Sequence, residues 1–310
     1  MIAIAPPLWV SPAYPDRDAV WAMVTSHSPY PLMASSSGYS QMMEGDVSPW
    51  FRAHWALDGV AVDDETTTLL HHEPFVEGAK RLFGAEVVRP STLLVNLMGP
   101  MPSGVPHVDT PTFRGLKRGD VPVWLLITMG ASGLFERWSV RIAGALTWFY
   151  DGDDGELEYW PDGGDRPSQV VRGPFGNDAL IADNDLMPHR VGAIGDAASL
   201  PSKAKVTASS TIEWAGDGWR IVTDGVPTGS LGVADVRVSL LWKALAFMDR
   251  ADARRFDDHE DDLDVATIVS VFRADLAARG ITVDEPDDPF TDAAWSRTLL
   301  STYLRPIVDV

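Results

Sequence analysis

The chain has 310 residues, 45% of them hydrophobic and 22% charged, enough to bury the core of one large domain or two small ones. Lys+Arg number 25 against Asp+Glu 44, a formal charge of -19, which repels phosphate backbones and argues against nucleic acid or an anionic membrane as partner. The absence of cysteine excludes disulfides, thiolate metal sites and cysteine nucleophiles.

The first ten residues carry no basic region and are broken by Pro6 and Pro7, a poor signal peptide. The most apolar window, residues 121–135, is too short and too interrupted by Thr, Gly and Ser to span a bilayer. The expectation is a soluble, cytoplasmic protein.

Residues 1–90 read as mostly helical or irregular cover. Residues 16–24 suit a short helix ahead of Pro29 and Pro31. A better one runs from Pro74 to Gly84, with Phe75, Val76, Ala79, Leu82 and Phe83 on one stripe. The first strongly β segment is residues 91–98, rich in branched and apolar residues around a single Asn96.

His107 and Asp109 follow. Two residues apart on an extended strand, they leave the same face and offer an imidazole and a carboxylate to one pocket. A second imidazole, His189, would complete the 2-His-1-carboxylate set of non-haem Fe(II) sites. Each histidine taken singly is an ordinary loop or core residue.

Arg114, Lys117 and Arg118 form a rare basic patch in the next linker. Residues 121–135 fit a buried strand or a buried helix, which periodicity does not separate. Residues 140–150 read as a strand, followed by an Asp/Gly turn and residues 156–160 as a hairpin would be. The acidic run 151–156 lacks the ligand spacing of an EF-hand loop. Residues 169–172 and 179–182 supply two more strands leading to His189, and residues 205–224 another hairpin.

Arg237 and Ser239 again share one strand face, in an otherwise apolar segment where a buried guanidinium needs an anion. Among the other histidines, His71 and His72 are adjacent and face opposite ways, and His259 sits in a solvated acidic loop. The last sixty residues turn helical, with Asp264 capping a stripe that runs from Val265 to Leu276 and Gly280 closing it, and a final helix over 291–304. Many short strands divided by Gly, Pro and Asp turns suggest a barrel or jelly roll.

Four pieces in this order, Pro106 to Thr110, Gly155 to Gly163, Met187 to Val191 and Val236 to Trp242, resemble the Fe(II)/2-oxoglutarate-dependent dioxygenase superfamily over residues 90 to 248. The resemblance implies a mainly β protein, a double-stranded β-helix (jelly roll, cupin-like) with flanking α-helices at both ends. It would form a single oxygenase domain over 1–310, with N-terminal cover at 1–90, the core at 91–250 and C-terminal helices at 251–310. It implies an enzyme, a hydroxylase that uses Fe(II), 2-oxoglutarate and O2, acts on a small-molecule substrate and releases succinate and CO2.

His107, Asp109 and His189 would be the metal ligands. The retained Asp109 sets the chain apart from halogenating relatives, which replace that carboxylate with a small residue. Arg237 and Ser239 would hold the distal carboxylate of 2-oxoglutarate, with Asn96 hydrogen-bonding the cosubstrate or serving as a buried structural amide. The family arginine usually follows the second histidine after one short connection, whereas Arg237 lies 48 positions on. Lys203, Lys205 and Arg220 of the intervening region are therefore rival anchors. Two other readings stand beside this one: a cupin-like metalloenzyme that does not use 2-oxoglutarate, and a metal-free binding or structural jelly roll.

Overall fold

Fifteen strands and seven helices of more than one turn make up a computed structural model that describes residues 4–33, 47–116 and 119–305. In chain order they are β1 (Leu8–Val10), α1 (Arg17–Ser26), β2 (Tyr30–Pro31), β3 (Trp50–Leu57), β4 (Val60–Ala61), α2 (Asp64–Leu70), α3 (Glu73–Phe83) and β5 (Val87–Met98). The middle of the chain holds β6 (Thr112–Phe113), α4 (Val123–Ser132), β7 (Ser139–Tyr150), β8 (Leu157–Tyr159), β9 (Gln169–Val171), β10 (Phe175–Ala182) and β11 (His189–Val191). It closes with β12 (Ser210–Trp214), β13 (Trp219–Thr223), β14 (Val226–Leu231), β15 (Arg237–Phe247), α5 (Arg250–Asp257), α6 (Val265–Ala278) and α7 (Ala293–Tyr303).

The strands pair antiparallel throughout. The major sheet has the order β1-β10-β7-β15-β5-β3-β4, with β6 alongside β7, and the minor sheet the order β11-β8-β9. The 101–107 segment joins the minor sheet through isolated bridges Met101–Ile194 and His107–His189. From β5 to β11 the chain therefore passes back and forth between the two sheets. β15 returns to the major one after β12, β13 and β14, which form a separate sheet with β2. This is the winding of a double-stranded β-helix with an insertion. Met98, Trp148, Leu180 and Ala182 from the major sheet meet Leu157 and Tyr159 from the minor one in a buried cluster between them.

The outer face of the major sheet is apolar and covered by helices. Val238, Leu240, Trp242 and Ala244 of β15 pack with Leu93, Val95 and Leu97 of β5 and with Leu70, Phe75 and Ala79 of α2 and α3. Trp242 donates its indole N–H to the Leu70 carbonyl at 2.6 Å, so even the polar atom of this large ring is satisfied within the layer. Gly78 lets α3 lie close: a Cβ there would stand 2.3 Å from Ile181 Cδ1. That closeness offsets the helix propensity a mid-helix glycine loses, about 1 kcal/mol. The cap expected at Asp264 is present, and Asp16 and Asp63 likewise accept from backbone N–H groups in the first turns of α1 and α2.

Three expectations are corrected. Residues 1–90 supply strands as well as helices: β1 pairs with β10, and β3 pairs with β5 and widens the major sheet. Phe51 to Trp55 alternate apolar and polar with the period of a strand, but the pattern is short and breaks at a register shift between His54 and Ala56. Residues 140–150 and 156–160 do not form a hairpin, since β7 pairs with β10 and β15 while β8 pairs with β11 and β9. The turn residues carry the chain across to the other sheet, with Gly155 at φ +65° and its N–H bonded to Ala193 O.

The supposed basic linker patch is the third. Arg114 is buried and ion-paired with Asp261 at 2.8 Å and Asp252 at 3.4 Å, tying the linker to the segment after α5; Lys117 and Arg118 lie outside the described residues. Residues 121–135, open between strand and helix, contain α4, which Gly133 closes at φ +71°. This helix packs with α6 and α7 in a separate cluster around Phe135, Phe272 and Trp295. Among the described residues, no helix is long and apolar enough to cross a membrane.

Candidate metal centre

His107 and His189 face each other across the bridge between the 101–107 segment and β11, each donating its backbone N–H to the other's carbonyl at 3.0 and 2.9 Å. Their ring centroids are 4.6 Å apart. Both rings are oriented by a carbonyl two residues upstream: His107 Nδ1 is 3.0 Å from Val105 O, and His189 Nδ1 is 3.0 Å from Met187 O. A carbonyl only accepts, so each Nδ1 carries the proton and each Nε2 keeps its lone pair. That is the tautomer, and the supporting contact, of a metal-ligating imidazole.

Asp109 is fixed by its backbone N–H to Asn184 O at 2.8 Å, which ties it to the loop that delivers His189. That loop is held by Asp183, whose carbonyl accepts from Leu186 and Met187 and whose carboxylate lies 3.5 Å from Arg141. Burial pushes the Asp183 carboxyl up to about 6 against the pull of Arg141.

One ligand atom from each of His107, Asp109 and His189 lies within 4.8 Å of the other two, and this is the one such group of three His, Asp or Glu among the described residues. Asp109 Oδ1 is 3.9 Å from His189 Nε2. The other carboxylate oxygen, Oδ2, accepts from Lys243 Nζ at 2.6 Å. Burial would raise the Asp109 carboxyl, but Lys243 together with the neighbouring His189 and His107 holds the group below the usual carboxylate range. Burial also lowers His189, against the Asp109 charge, keeping that imidazole neutral as ligation requires.

The floor of the site is the inner face of the major sheet. Arg237, Ser239, Leu241 and Lys243 alternate along β15 with the outward apolar set. Ser239 stands opposite Asn96 of β5 on one side and Trp148 of β7 on the other. Asn96 in turn stands opposite Arg52 of β3, giving one polar row across four strands. The Asn96 carbonyl accepts from Arg52 Nε at 2.7 Å and from Trp50 Nε1 at 3.1 Å, so its acceptor serves the sheet itself.

Arg237 is 1% exposed. Its Nε donates to Gly155 O at 2.7 Å and its guanidinium lies 5.9 Å from the centre of the Phe175 ring. Among the described residues nothing accepts from one of its terminal nitrogens, nor from the buried Trp148 indole N–H, which packs on the same Phe175. Burial pulls the guanidinium down to about 10, opposed by Tyr150, Asp154 and Glu156, so it remains a cation at neutral pH. An unpaired buried donor costs about 1–3 kcal/mol, a standing demand for an acceptor.

The rival basic residues stand elsewhere. Lys203 is exposed and paired with Asp235 at 2.9 Å, Arg220 is exposed and paired with Glu213 at 3.2 Å, and Lys205 is exposed. Two residues of the site, Lys243 and Arg52, were not anticipated. Lys243 shares the parity of Arg237 and Ser239, a signal present in the sequence, whereas Arg52 lies in the stretch read as cover.

No family model and no curated protein matches the chain. Solved structures of similar fold include an oxidoreductase of the 2OG-Fe(II) oxygenase family from Burkholderia pseudomallei, at 12% identity and TM-score 0.42 over 78% of this chain and 87% of that one. They also include a Pseudomonas putida prolyl-4-hydroxylase, at 11% identity and TM-score 0.41 over 78% and 93%. A third is the non-heme alpha ketoglutarate dependent epimerase SnoN from nogalamycin biosynthesis, at 13% identity and TM-score 0.44 over 78% of each chain.

Proposed function

We propose that this chain is an Fe(II)- and 2-oxoglutarate-dependent oxygenase that hydroxylates a small molecule, with His107, Asp109 and His189 as its metal ligands. The observation that carries the reading is the convergence of one ring nitrogen from each histidine and one carboxylate oxygen within 4.8 Å, with both Nδ1 atoms engaged by backbone carbonyls. His107, Asp109 and His189 would hold the Fe(II), which would supply the oxidising chemistry with the cosubstrate and dioxygen.

The protein's own part is binding and orientation. Lys243 holds one oxygen of Asp109, which presents the other towards the imidazoles. Arg237, with Ser239 on the same strand face and the Trp148 indole beside it, fits the distal carboxylate of 2-oxoglutarate: a buried cation with a spare N–H meets a planar anion.

The test is anaerobic addition of Fe(II) and 2-oxoglutarate, followed by air. A weak visible band that needs both components, and succinate release after oxygen, are expected. Metal binding without such a band or succinate would leave a cupin-like enzyme of another kind, and failure to bind metal would leave a metal-free jelly roll.

A further inference from the structure

We infer that Arg52 is the anchor for a carboxylate on the primary substrate, so that the substrate is an anionic small molecule. This rests on the reading of His107, Asp109 and His189 as the metal centre. Several arginines elsewhere meet carboxylates: Arg89 with Asp257, Arg114 with Asp261, Arg190 with Glu158 and Arg279 with Asp275. Two inward-facing arginines, Arg237 and Arg52, form no ion pair among the described residues. They sit on neighbouring rows of the same sheet face, since Arg237 pairs with Met98 and Arg52 with Asn96 two residues along β5.

Two unpaired guanidiniums facing one site call for two anions, and their surroundings divide them. Arg237 is sealed beneath Gly155 and Phe175, and is reached only by a ligand that enters the barrel. Arg52 is half-buried on the inner face of the sheet, in the row of Asn96 and Ser239, and is open to an incoming molecule. Its Nε is engaged by the Asn96 carbonyl and its plane lies 4.8 Å over the Trp50 ring. The side chain is thus braced on one edge and one face, leaving its terminal nitrogens for a bidentate acceptor.

The local charge also favours an anion. Lys243 already offsets Asp109, and a divalent metal would offset a 2-oxoglutarate dianion, so the Arg237 and Arg52 cations are left over and the inner face keeps a positive charge. In a chain of formal charge -19, a residue such as Arg52 on that face selects its ligand by sign.

Both candidate ligands of Arg52 are carboxylates, the cosubstrate and the substrate, and the test separates them. Protein loaded anaerobically with Ni(II) and saturating 2-oxoglutarate is titrated with 4-fluorobenzoate and, separately, with the neutral 4-fluorobenzamide, followed by fluorine NMR. The wild type should bind the benzoate saturably and the amide not at all. Arg52→Ala should weaken benzoate binding by about tenfold or more. Arg52→Lys should retain part of the affinity, and Arg220→Ala, on the exposed hairpin, all of it.

Ni(II) and 2-oxoglutarate affinities should be unchanged in Arg52→Ala, which also shows that the variant is folded. The inference is overturned if Arg52→Ala binds benzoate like the wild type, if the wild type does not distinguish benzoate from benzamide, or if Arg52→Ala loses 2-oxoglutarate instead. A wild type that takes up neither Ni(II) nor 2-oxoglutarate would overturn the metal-centre reading first, and this inference with it.

Discussion

The two faces of the major sheet are built from the same strands under opposite rules. Outward, β15 presents Val238, Leu240, Trp242 and Ala244 to a helix layer in which the Trp242 N–H is paired. Inward, it presents Arg237, Ser239 and Lys243, and its neighbours add Asn96 and Arg52. The outward face gains stability from apolar area, at about 25 cal/mol per Å². The inward face gives some of that up by desolvating three cations. A fold under pressure only for stability would not keep Arg237 buried with an idle nitrogen. The difference fits the proposed function, in which the outer face holds the sheet and the inner face holds ligands.

The sharpest way to break this division is Asp109→Ala. It should abolish succinate-coupled hydroxylation while the protein stays folded, at a stability cost of about 1–3 kcal/mol for the stranded Lys243. Undiminished turnover of the purified variant would remove Asp109 from the centre. On the other face, Trp242→Ala should cost about 3–5 kcal/mol of folding stability by denaturant titration, through the cavity and the lost bond to Leu70. A loss below 1 kcal/mol would mean that the helix layer does not support the sheet as described.

Arg237→Ala should raise the apparent KM for 2-oxoglutarate far more than that for the primary substrate. It should remove on the order of 2–5 kcal/mol of cosubstrate binding while leaving metal affinity in place. Normal 2-oxoglutarate binding by this variant, with a loss in Lys203→Ala, Lys205→Ala or Arg220→Ala, would move the anion anchor to the inserted hairpin region. The smallest effect concerns Lys243, whose ammonium is the counterion of Asp109. Lys243→Met should destabilise the metal-free protein by about 1–3 kcal/mol. Ni(II) should then stabilise it more than the wild type, because the metal replaces the missing positive charge. Equal thermal shifts on metal addition would contradict this role.

How far the sequence reached follows the same line between the faces. Period two put Arg237 with Ser239, because parity along a strand is a local property, whereas His107 makes only an isolated bridge and Asp109 reaches it from a loop. Period two could also have given Lys243, which has the parity of Arg237, had the strand been followed past Trp242. Arg52 was beyond its reach. Nothing local says that β3, lying far upstream, joins β5 and aims its arginine at Asn96. The path after Tyr150 was hidden for a similar reason, since turn residues mark a change of direction without saying whether the next strand returns to the same sheet. Within residues 121–135, the turn after Ser132 and the packing of Leu125 and Met129 against Phe272 and Trp295 decide for a helix, and that packing is tertiary.

The most direct measurement is the stoichiometry and affinity of Ni(II) binding under anaerobic conditions, by calorimetry, for the wild type beside His107→Ala and His189→Ala. One ion per wild-type chain is expected, with binding lost or weakened at least 100-fold in each variant, since each removes one of three ligands to a single ion. A wild type that takes up no metal, or variants that bind it as tightly as the wild type, would contradict the assignment of His107, Asp109 and His189 as one metal centre.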